Sequence, residues 1–301
     1  MEVRRGKVFI GGEVVDPSDA KISIFDRGFL YGDSVFETLR VHHGVPFAFG
    51  EHLDRLVASG RRVGFSLPWS EEHVRECCMK ALHGAGLHDA YMRIIATRGS
   101  GTMGLDPSLA TDPELVVLAL ALPEFPEGLY DVGRSAVFVS VRRNHTKAVD
   151  PEAKTGNYMN SVMAMRDAKA QGADEAIMLD VEGRVAEASS ANVFALIDGV
   201  WCTPPIDVGI LGGITRSTIL RLCEQAGIPH TVRVLWPNEL VQATEMLLCS
   251  SVRELVPVTT LDGNAVGTGQ VGPEVIRLRE LYAAEVARQV AEGGTQSSSS
   301  S

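Results

Sequence analysis

Three separated stretches of the chain carry residue types that could work together on one small molecule. The run Ala153-Lys154-Thr155-Gly156-Asn157-Tyr158 offers a lysine amine, which can form a Schiff base with an aldehyde. Glu187, within Val185-Ala186-Glu187-Ala188-Ser189-Ser190-Ala191-Asn192, offers a carboxylate that can hold a pyridine nitrogen protonated. Gly212-Gly213-Ile214-Thr215-Arg216 reads as a turn into a helix, where backbone N–H groups without intrahelical partners can cradle a phosphate. An aldehyde, a pyridine and a phosphate occur together in pyridoxal 5'-phosphate, and that cofactor is the one the three stretches suit.

Each stretch also has a plainer reading. A lone lysine is usually a solvated surface charge. Lys154 departs from that expectation because it precedes an apolar-striped helix with Tyr158 on its first turn, where a phenol could reach the cofactor oxygen beside the imine. Glu187 lies in a small-residue turn between two strands and by itself reads as a solvent-facing carboxylate. The glycine pair could be loop punctuation, although two glycines permit close backbone approach and Thr215 adds a hydroxyl. Arg55, in Glu51-His52-Leu53-Asp54-Arg55-Leu56, is a charged partner for a phosphate or a helix-surface arginine paired with Glu51.

The elements that must position these residues follow from periodicity. Val8 to Val15 reads as a hairpin around Gly11-Gly12, and Val35 to Val41 as a strand turning at His43-Gly44 into a second strand, Val45 to Phe49. A helix is expected from Gly50 to about Val63, with Leu53, Leu56 and Val57 on its apolar stripe. Ser70 reads as the cap of a second helix bearing Val74, Cys77, Cys78, Ala81 and Leu82. Tyr91 to Thr97 and Glu114 to Leu122 read as buried strands. Pro123-Glu124-Phe125-Pro126-Glu127-Gly128 breaks both periodicities, which places a linker at 123–132 between a small domain, 1–122, and a larger one, 133–292.

In the larger domain, Val137 to Val141, Glu175 to Asp180, Val193 to Ile197 and Met246 to Cys249 read as strands. Asn157 to Gln171, Thr215 to Ala226 and Pro273 to Val290 read as helices. The serine-rich tail, 293–301, reads as low-complexity disorder. The mixture predicts an α+β architecture. No Gly-x-Gly-x-x-Gly follows the first strand, which removes the usual nucleotide-binding reading.

Composition narrows the partners. A chain of 301 residues exceeds the size at which one core usually stops growing. A net charge of −10 argues against a nucleic acid or an anionic membrane, either of which would call for a basic face. The longest apolar run, Leu115 to Leu122, is far below the ~20 residues of a membrane helix, and the N-terminus lacks the apolar core of a secretory signal, so a cytoplasmic address is expected. The five cysteines are scattered, with no CxxC pair, and no histidine has metal-ligand spacing, so no metal is expected. No Gly-x-Ser-x-Gly turn gives a serine hydrolase a foothold.

Taken in order, these motifs resemble the fold type IV pyridoxal phosphate enzymes, which include branched-chain amino acid aminotransferases, D-amino acid aminotransferases and aminodeoxychorismate lyases. The resemblance runs from Asp26-Arg27-Gly28-Phe29-Leu30-Tyr31-Gly32-Asp33-Ser34-Val35-Phe36-Glu37 to Val256-Pro257-Val258 and Leu261-Asp262-Gly263. It implies a small α/β N-terminal domain, a larger β-rich cofactor domain and a homodimer. It also implies a Schiff-base lysine at Lys154, a pyridine-nitrogen carboxylate at Glu187, a tyrosine near the ring oxygen at Tyr158, and phosphate contacts from Arg55, Ile214, Thr215 and Ser251.

Tyr91-Met92-Arg93 and the loop Gly99-Ser100-Gly101-Thr102-Met103-Gly104-Leu105-Asp106-Pro107 resemble the branched-chain subgroup. There the arginine receives the side-chain carboxylate of glutamate, and aromatic residues such as Phe36 and Tyr31 receive an aliphatic side chain. Ser250-Ser251-Val252-Arg253 departs from the Gly-Thr-Ala-Ala usual in that subgroup; Val252 and Arg253 are among the expected substrate contacts, and Arg40 or Arg253 could supply another carboxylate contact. Thr38, Arg40 and Ser189-Ser190-Ala191-Asn192 are more similar to the D-amino acid aminotransferase or lyase subgroups. The resemblance thus implies a ping-pong transaminase moving an amino group between a branched-chain L-amino acid and 2-oxoglutarate. The alternatives are a D-amino acid transaminase or an aminodeoxychorismate lyase, and the implied ligands are small amino acids and keto acids.

Overall fold

Residues 5–298 are described in a computed structural model, in which the chain separates into two units. The first gathers the chain up to Glu124, the short segment Ala153–Asn157 and the chain from Val286 on. The second holds Phe125–Glu152 and Tyr158–Glu285. Where 133–292 reads as one domain from sequence, the five residues around Lys154 and the end of the last helix therefore cluster with the first unit.

In the first unit, β1 (Gly6–Ile10) and β2 (Glu13–Val15) form the expected hairpin. A short helix absent from the sequence reading, α1 (Arg27–Tyr31), begins where Asp26 accepts the Gly28 N–H. It ends at Gly32 with φ 69°, and a side chain there would also meet Asn157 Oδ1 at 2.6 Å. After β3 (Ser34–His42), the expected strand Val45 to Phe49 shortens to β4 (Val45–Pro46), since Pro46 has no N–H to continue a ladder. Helices α2 (Phe49–Arg62) and α3 (Glu71–Ala85) follow, α3 capped by Ser70 accepting the His73 N–H. Strands β5 (Ala90–Gly101) and β6 (Ala110–Leu120) complete a six-stranded antiparallel sheet in the order β2-β1-β6-β5-β3-β4.

Period-two alternation gives that sheet two different faces. Ala90, Met92, Ile94 and Ala96 of β5 join Val35, Leu39 and Val41 of β3 in a core with Leu53, Leu56, Val74, Cys77, Cys78, Ala81 and Leu82 of α2 and α3. Each fully buried leucine or valine stabilises this packing by roughly 1.5–3 kcal/mol. The intervening residues of β3 and β5 point to the opposite face, where most of the expected substrate contacts lie.

The second unit is built on β7 (Arg134–Arg142), α4 (Met159–Ala170), β8 (Glu175–Leu179), β9 (Val185–Ala188), β10 (Asn192–Ile197) and β11 (Val200–Thr203). It continues through α5 (Ile214–Gln225), β12 (His230–Val232), α6 (Pro237–Leu240), β13 (Glu245–Ser250), β14 (Glu254–Leu261), β15 (Asn264–Ala265) and the start of α7 (Pro273–Ser298). Its mixed nine-stranded sheet runs β12-β11-β10-β13-β14-β7-β8-β9, with β15 on β14. Strands β8 and β9 are buried at every position, so they read as short apolar runs without alternation.

Helix α7 is described through Ser298, and residues 299–301 of the serine-rich tail lie outside the described residues. Its Gly293 packs on β4, so closely that a Cβ there would meet Val45 Cγ1 at 2.6 Å. No helix among the described residues is long and apolar enough to cross a membrane.

Candidate active site

Lys154 is positioned by β3. The Phe36 N–H donates to the Lys154 carbonyl (2.9 Å), Gly156 N–H donates to the Ser34 carbonyl (2.9 Å), and Thr155 bridges Val35, so Ala153–Asn157 lies along the start of that strand. The Lys154 N–H in turn donates to Ser59 Oγ on α2 (3.1 Å), and Nζ stands 4.5 Å from the centre of the Phe36 ring. The lysine backbone is therefore tied to both a strand and a helix of its unit.

The register of β3 against β5 assembles the substrate-side residues. Phe36 faces Ile95, Thr38 faces Arg93 and Arg40 faces Tyr91, which puts Phe36, Thr38, Arg40, Tyr91 and Arg93 on one face of the sheet. The Arg93 guanidinium stacks on Phe36 at 3.8 Å from the ring centre. Tyr31, at the end of α1, carries the Arg27 guanidinium at 5.1 Å. Arg27 is itself held by Asp33 and donates to the carbonyls of Gly104 and Leu105, so it grips the loop after β5.

Arg55 has a different partner from the one its spacing suggests. Its Nε and Nη2 donate to Oε1 and Oε2 of Glu37 at 2.7 and 2.8 Å, so the carboxylate it meets comes from β3 and not from Glu51 one turn away. His52 Nδ1 stands 2.7 Å from Glu37 Oε2, and because a carboxylate only accepts, Nδ1 carries the proton. Burial alone would raise the Glu37 pKa, but the Arg55 and His52 bonds outweigh it and hold it at about 2.

In the second unit Glu187 is a strand residue, not the turn residue the sequence suggests, and it is 6% exposed. Its donors include Arg143 Nε to Oε1 (2.7 Å), and Asn192 Nδ2 (3.2 Å) and the Leu211 N–H (3.1 Å) to Oε2. Asn192 also donates to the Leu211 carbonyl at 3.0 Å. Glu187 is thereby bonded directly to the turn that leads into α5.

That helix starts at Ile214, and its N-cap, Gly213, supplies no capping side chain. Its first-turn N–H groups, with the buried Thr215 beside them, form an arrangement that can receive an anion. Arg216, in the same turn, is buried and donates to Thr203 Oγ1 and the Pro204 carbonyl. Burial lowers its pKa, against the nearby Cys249 and Glu187. Of the glycine pair, only Gly213 meets a close neighbour, since a Cβ on Gly212 would make an ordinary contact with Ile206 at 3.8 Å.

Ser251, Val252 and Arg253 form the turn between β13 and β14. Arg253 bonds to Glu175 of β8, and its carbonyl accepts from Tyr130 Oη at 3.1 Å, so its guanidinium is engaged within the unit. Tyr158 is the N-cap residue of α4. Arg143 and Asn192 are the residues the sequence reading passed over as site members. Arg143 lies 44 positions from Glu187, and no spacing rule links them. Among the described residues no group of three or more His, Cys, Asp or Glu side chains could hold a metal ion, and the five cysteines are free and buried.

Comparison with known proteins adds a family. The model of the amino-transferase class IV family matches residues 34–261. The putative branched-chain-amino-acid aminotransferase of Methanocaldococcus jannaschii is 38% identical over 276 residues, 92% of this chain and 95% of that protein. The D-alanine aminotransferase of Bacillus licheniformis is 30% identical over 89% of this chain and 92% of its own length. Among solved structures, the branched-chain aminotransferase of Thermoproteus uzoniensis with norvaline superposes with a TM-score of 0.86. It is 31% identical, and the match covers 92% of this chain and 93% of that one. A second solved branched-chain amino acid aminotransferase, complexed with N-(5'-phosphopyridoxyl)-L-glutamate, superposes with a TM-score of 0.89. It too is 31% identical, over 95% of this chain and 96% of its own.

Proposed function

The chain belongs to the class IV aminotransferases, and from that premise we propose that it moves an amino group between a branched-chain L-amino acid and 2-oxoglutarate with pyridoxal 5'-phosphate as cofactor. The observation that carries the substrate reading is the stacking of Arg93 on Phe36 beside Tyr91 on one sheet face. Such a surface can receive an aliphatic side chain against the aromatic rings, or the side-chain carboxylate of glutamate against the guanidinium. Both co-substrates of a transaminase are then served by one set of side chains.

The residues present fit the cofactor. The start of α5 has no capping side chain to compete with a phosphate, and Glu187 is a buried carboxylate already oriented by Arg143, Asn192 and the Leu211 N–H. When bound, pyridoxal 5'-phosphate supplies a ring that withdraws electrons from the substrate's α-carbon. Ile214 and Thr215 would hold the phosphate with backbone N–H groups, and Arg55 and Ser251 are the side chains that would add donors. Glu187 would hold the ring nitrogen protonated, and Tyr158 would offer its hydroxyl to the ring oxygen. Lys154 would hold the cofactor's aldehyde carbon through its Nζ, and that amine, once released, is the base that could take up the substrate's α-proton and return it. Phe36, Tyr31 and Tyr91 exclude water around the substrate side chain, and Thr38, Arg40, Val252 and Arg253 line the remaining contacts.

We also infer a homodimer working in the cytoplasm. Exposed apolar residues support the assembly: Ile24, Phe25, Phe29, Met103 and Leu105 in the first unit, and the α4 face Met159, Val162 and Met163 in the second.

A half-reaction tests the substrate. The cofactor-loaded protein is mixed separately with L-leucine, L-glutamate and D-alanine while its visible band is followed. Bleaching with the two L-amino acids is the expected result. Bleaching with D-alanine alone would replace the reading with a D-amino acid transaminase, the activity in the name of the Bacillus licheniformis relative. Pyruvate release from aminodeoxychorismate without an amino acceptor would replace it with a lyase.

A further inference from the structure

Glu37 is a buried carboxylate to which the reaction above gives no task. It sits on the core side of β3 between Val35 and Leu39, and all three are 0% exposed. An ion at such a position is costly unless it is paired and hydrogen-bonded. Buried ion pairs are often no more stabilising than the hydrophobic groups that could replace them. Packing of β3 on α2 therefore does not by itself call for such a pair.

A guanidinium is planar, with five N–H groups in fixed directions. Glu37 takes both the Nε and Nη2 donors of Arg55, which sets the plane of the group and the direction in which its other donors point. His52, one turn before Arg55 on α2 and 1% exposed, bonds to Glu37 Oε2 and so fixes the carboxylate in turn. Ser59, one turn after Arg55, accepts the Lys154 N–H. One helix thus presents the arginine and fastens the lysine segment.

We propose that Glu37, braced by His52, is a positioning residue that aims Arg55 at the phosphate group of the cofactor. The inference rests on the reading of Arg55 as a phosphate contact. Under it, Glu37 acts on the phosphate alone and not on the ring or the substrate.

The test compares equilibrium binding of pyridoxal 5'-phosphate and of pyridoxal, which lacks the phosphate, to the apo form of the full chain. Glu37→Gln keeps the shape and removes the charge. It is expected to weaken binding of the phosphorylated ligand about tenfold or more, the range for a hydrogen bond to a charged group, while binding of pyridoxal changes less than about twofold. Equal weakening of both ligands, or of neither, overturns the proposal. Arg55→Met is measured beside it. If that variant binds both ligands like the parent, the reading of Arg55 itself has failed. If it loses only phosphate-dependent affinity and Glu37→Gln does not, the positioning role alone has failed. Should Glu37→Gln not fold, His52→Gln decides: a smaller loss confined to the phosphorylated ligand supports the role, and an equal loss for both, or none, removes it.

Discussion

Asn192 and Gly213 are fitted to one another. A Cβ built on Gly213 would overlap Asn192 Oδ1, while the Nδ2 of the same asparagine bonds to Glu187 and to the Leu211 carbonyl. The asparagine therefore links the carboxylate proposed for the ring nitrogen to the turn proposed for the phosphate. In Gly213→Ala the asparagine must move, and Glu187 loses a donor. The apo protein is expected to lose about 1–3 kcal/mol by urea unfolding, with a weaker affinity for the cofactor. A variant with unchanged stability and affinity would show that the contact yields without consequence.

Lys154→Ala is expected to abolish turnover while leaving the fold intact. The backbone bonds that hold residue 154, from its N–H to Ser59 and to its carbonyl from Phe36, do not involve the side chain. Loss of activity by at least about 10³-fold with an unchanged circular dichroism spectrum is the expected pair of results, consistent with removal of a group that acts as a unit with its partners. Retained turnover would remove the lysine from its role.

What sequence alone conveys here is uneven, and the physical reason is the range of the interactions. Period-two patterning places Tyr91 and Arg93 on one side of a strand, and the register against Phe36, Thr38 and Arg40 extends that face as a local rule would. Ser70 caps α3 as local rules also require. Glu187 reads as a loop residue because Val185–Ala188 is short and buried on both faces, leaving no alternation to detect. The partners Arg143 to Glu187 and Glu37 to Arg55 lie 44 and 18 positions apart, and helical spacing points Arg55 at Glu51 instead. Such pairings exist only once the sheets have formed.

Arg143→Met isolates the charge behind Glu187. The variant removes the Arg143 bond from a carboxylate with little exposure, leaving among its partners the neutral donors Asn192 Nδ2 and Leu211 N–H, and breaking such a pair costs about 3–5 kcal/mol. If Glu187 faces a protonated ring nitrogen, adding cofactor restores part of that loss. The rise in Tm on cofactor addition is then larger in the variant than in the parent, by differential scanning fluorimetry. Equal rises would place the cofactor's positive charge elsewhere.

Stability should fall on mild acidification. Burial lowers the His42 pKa from the usual 6.5 to about 4, helped by Arg40 and His43 and opposed by Asp89. His52 is also lowered, by burial, with Arg55 and Lys154 adding to the effect and Glu37 opposing it. Unfolded, both imidazoles take a proton near 6.5, so below that pH the unfolded chain binds more protons and stability declines toward pH 4. Glu37, held at about 2 against 4.5, acts in the next window, its contribution present above 4.5 and lost toward 2. The urea midpoint is expected to drop between pH 6.5 and 4, with a shallower drop in His42→Gln. An identical slope in that variant would assign the loss to other groups.

Phe29 tests the homodimer. It is 66% exposed on α1, and the neighbouring loop gripped by Arg27 carries Leu105 at 80% and Met103 at 64%. Large apolar side chains exposed on a chain of net charge −10 are the observation behind the proposed dimer. Phe29→Glu is expected to shift sedimentation of micromolar protein from dimer toward monomer. Within a single chain an exposed substitution of this kind changes stability by no more than about 0.5 kcal/mol. A fall in Tm that deepens on dilution therefore reports on assembly and not on the fold, because the stability of an associating protein depends on its concentration. A parent chain that sediments as a monomer would overturn the dimer without touching the assignment of Lys154 or Glu187.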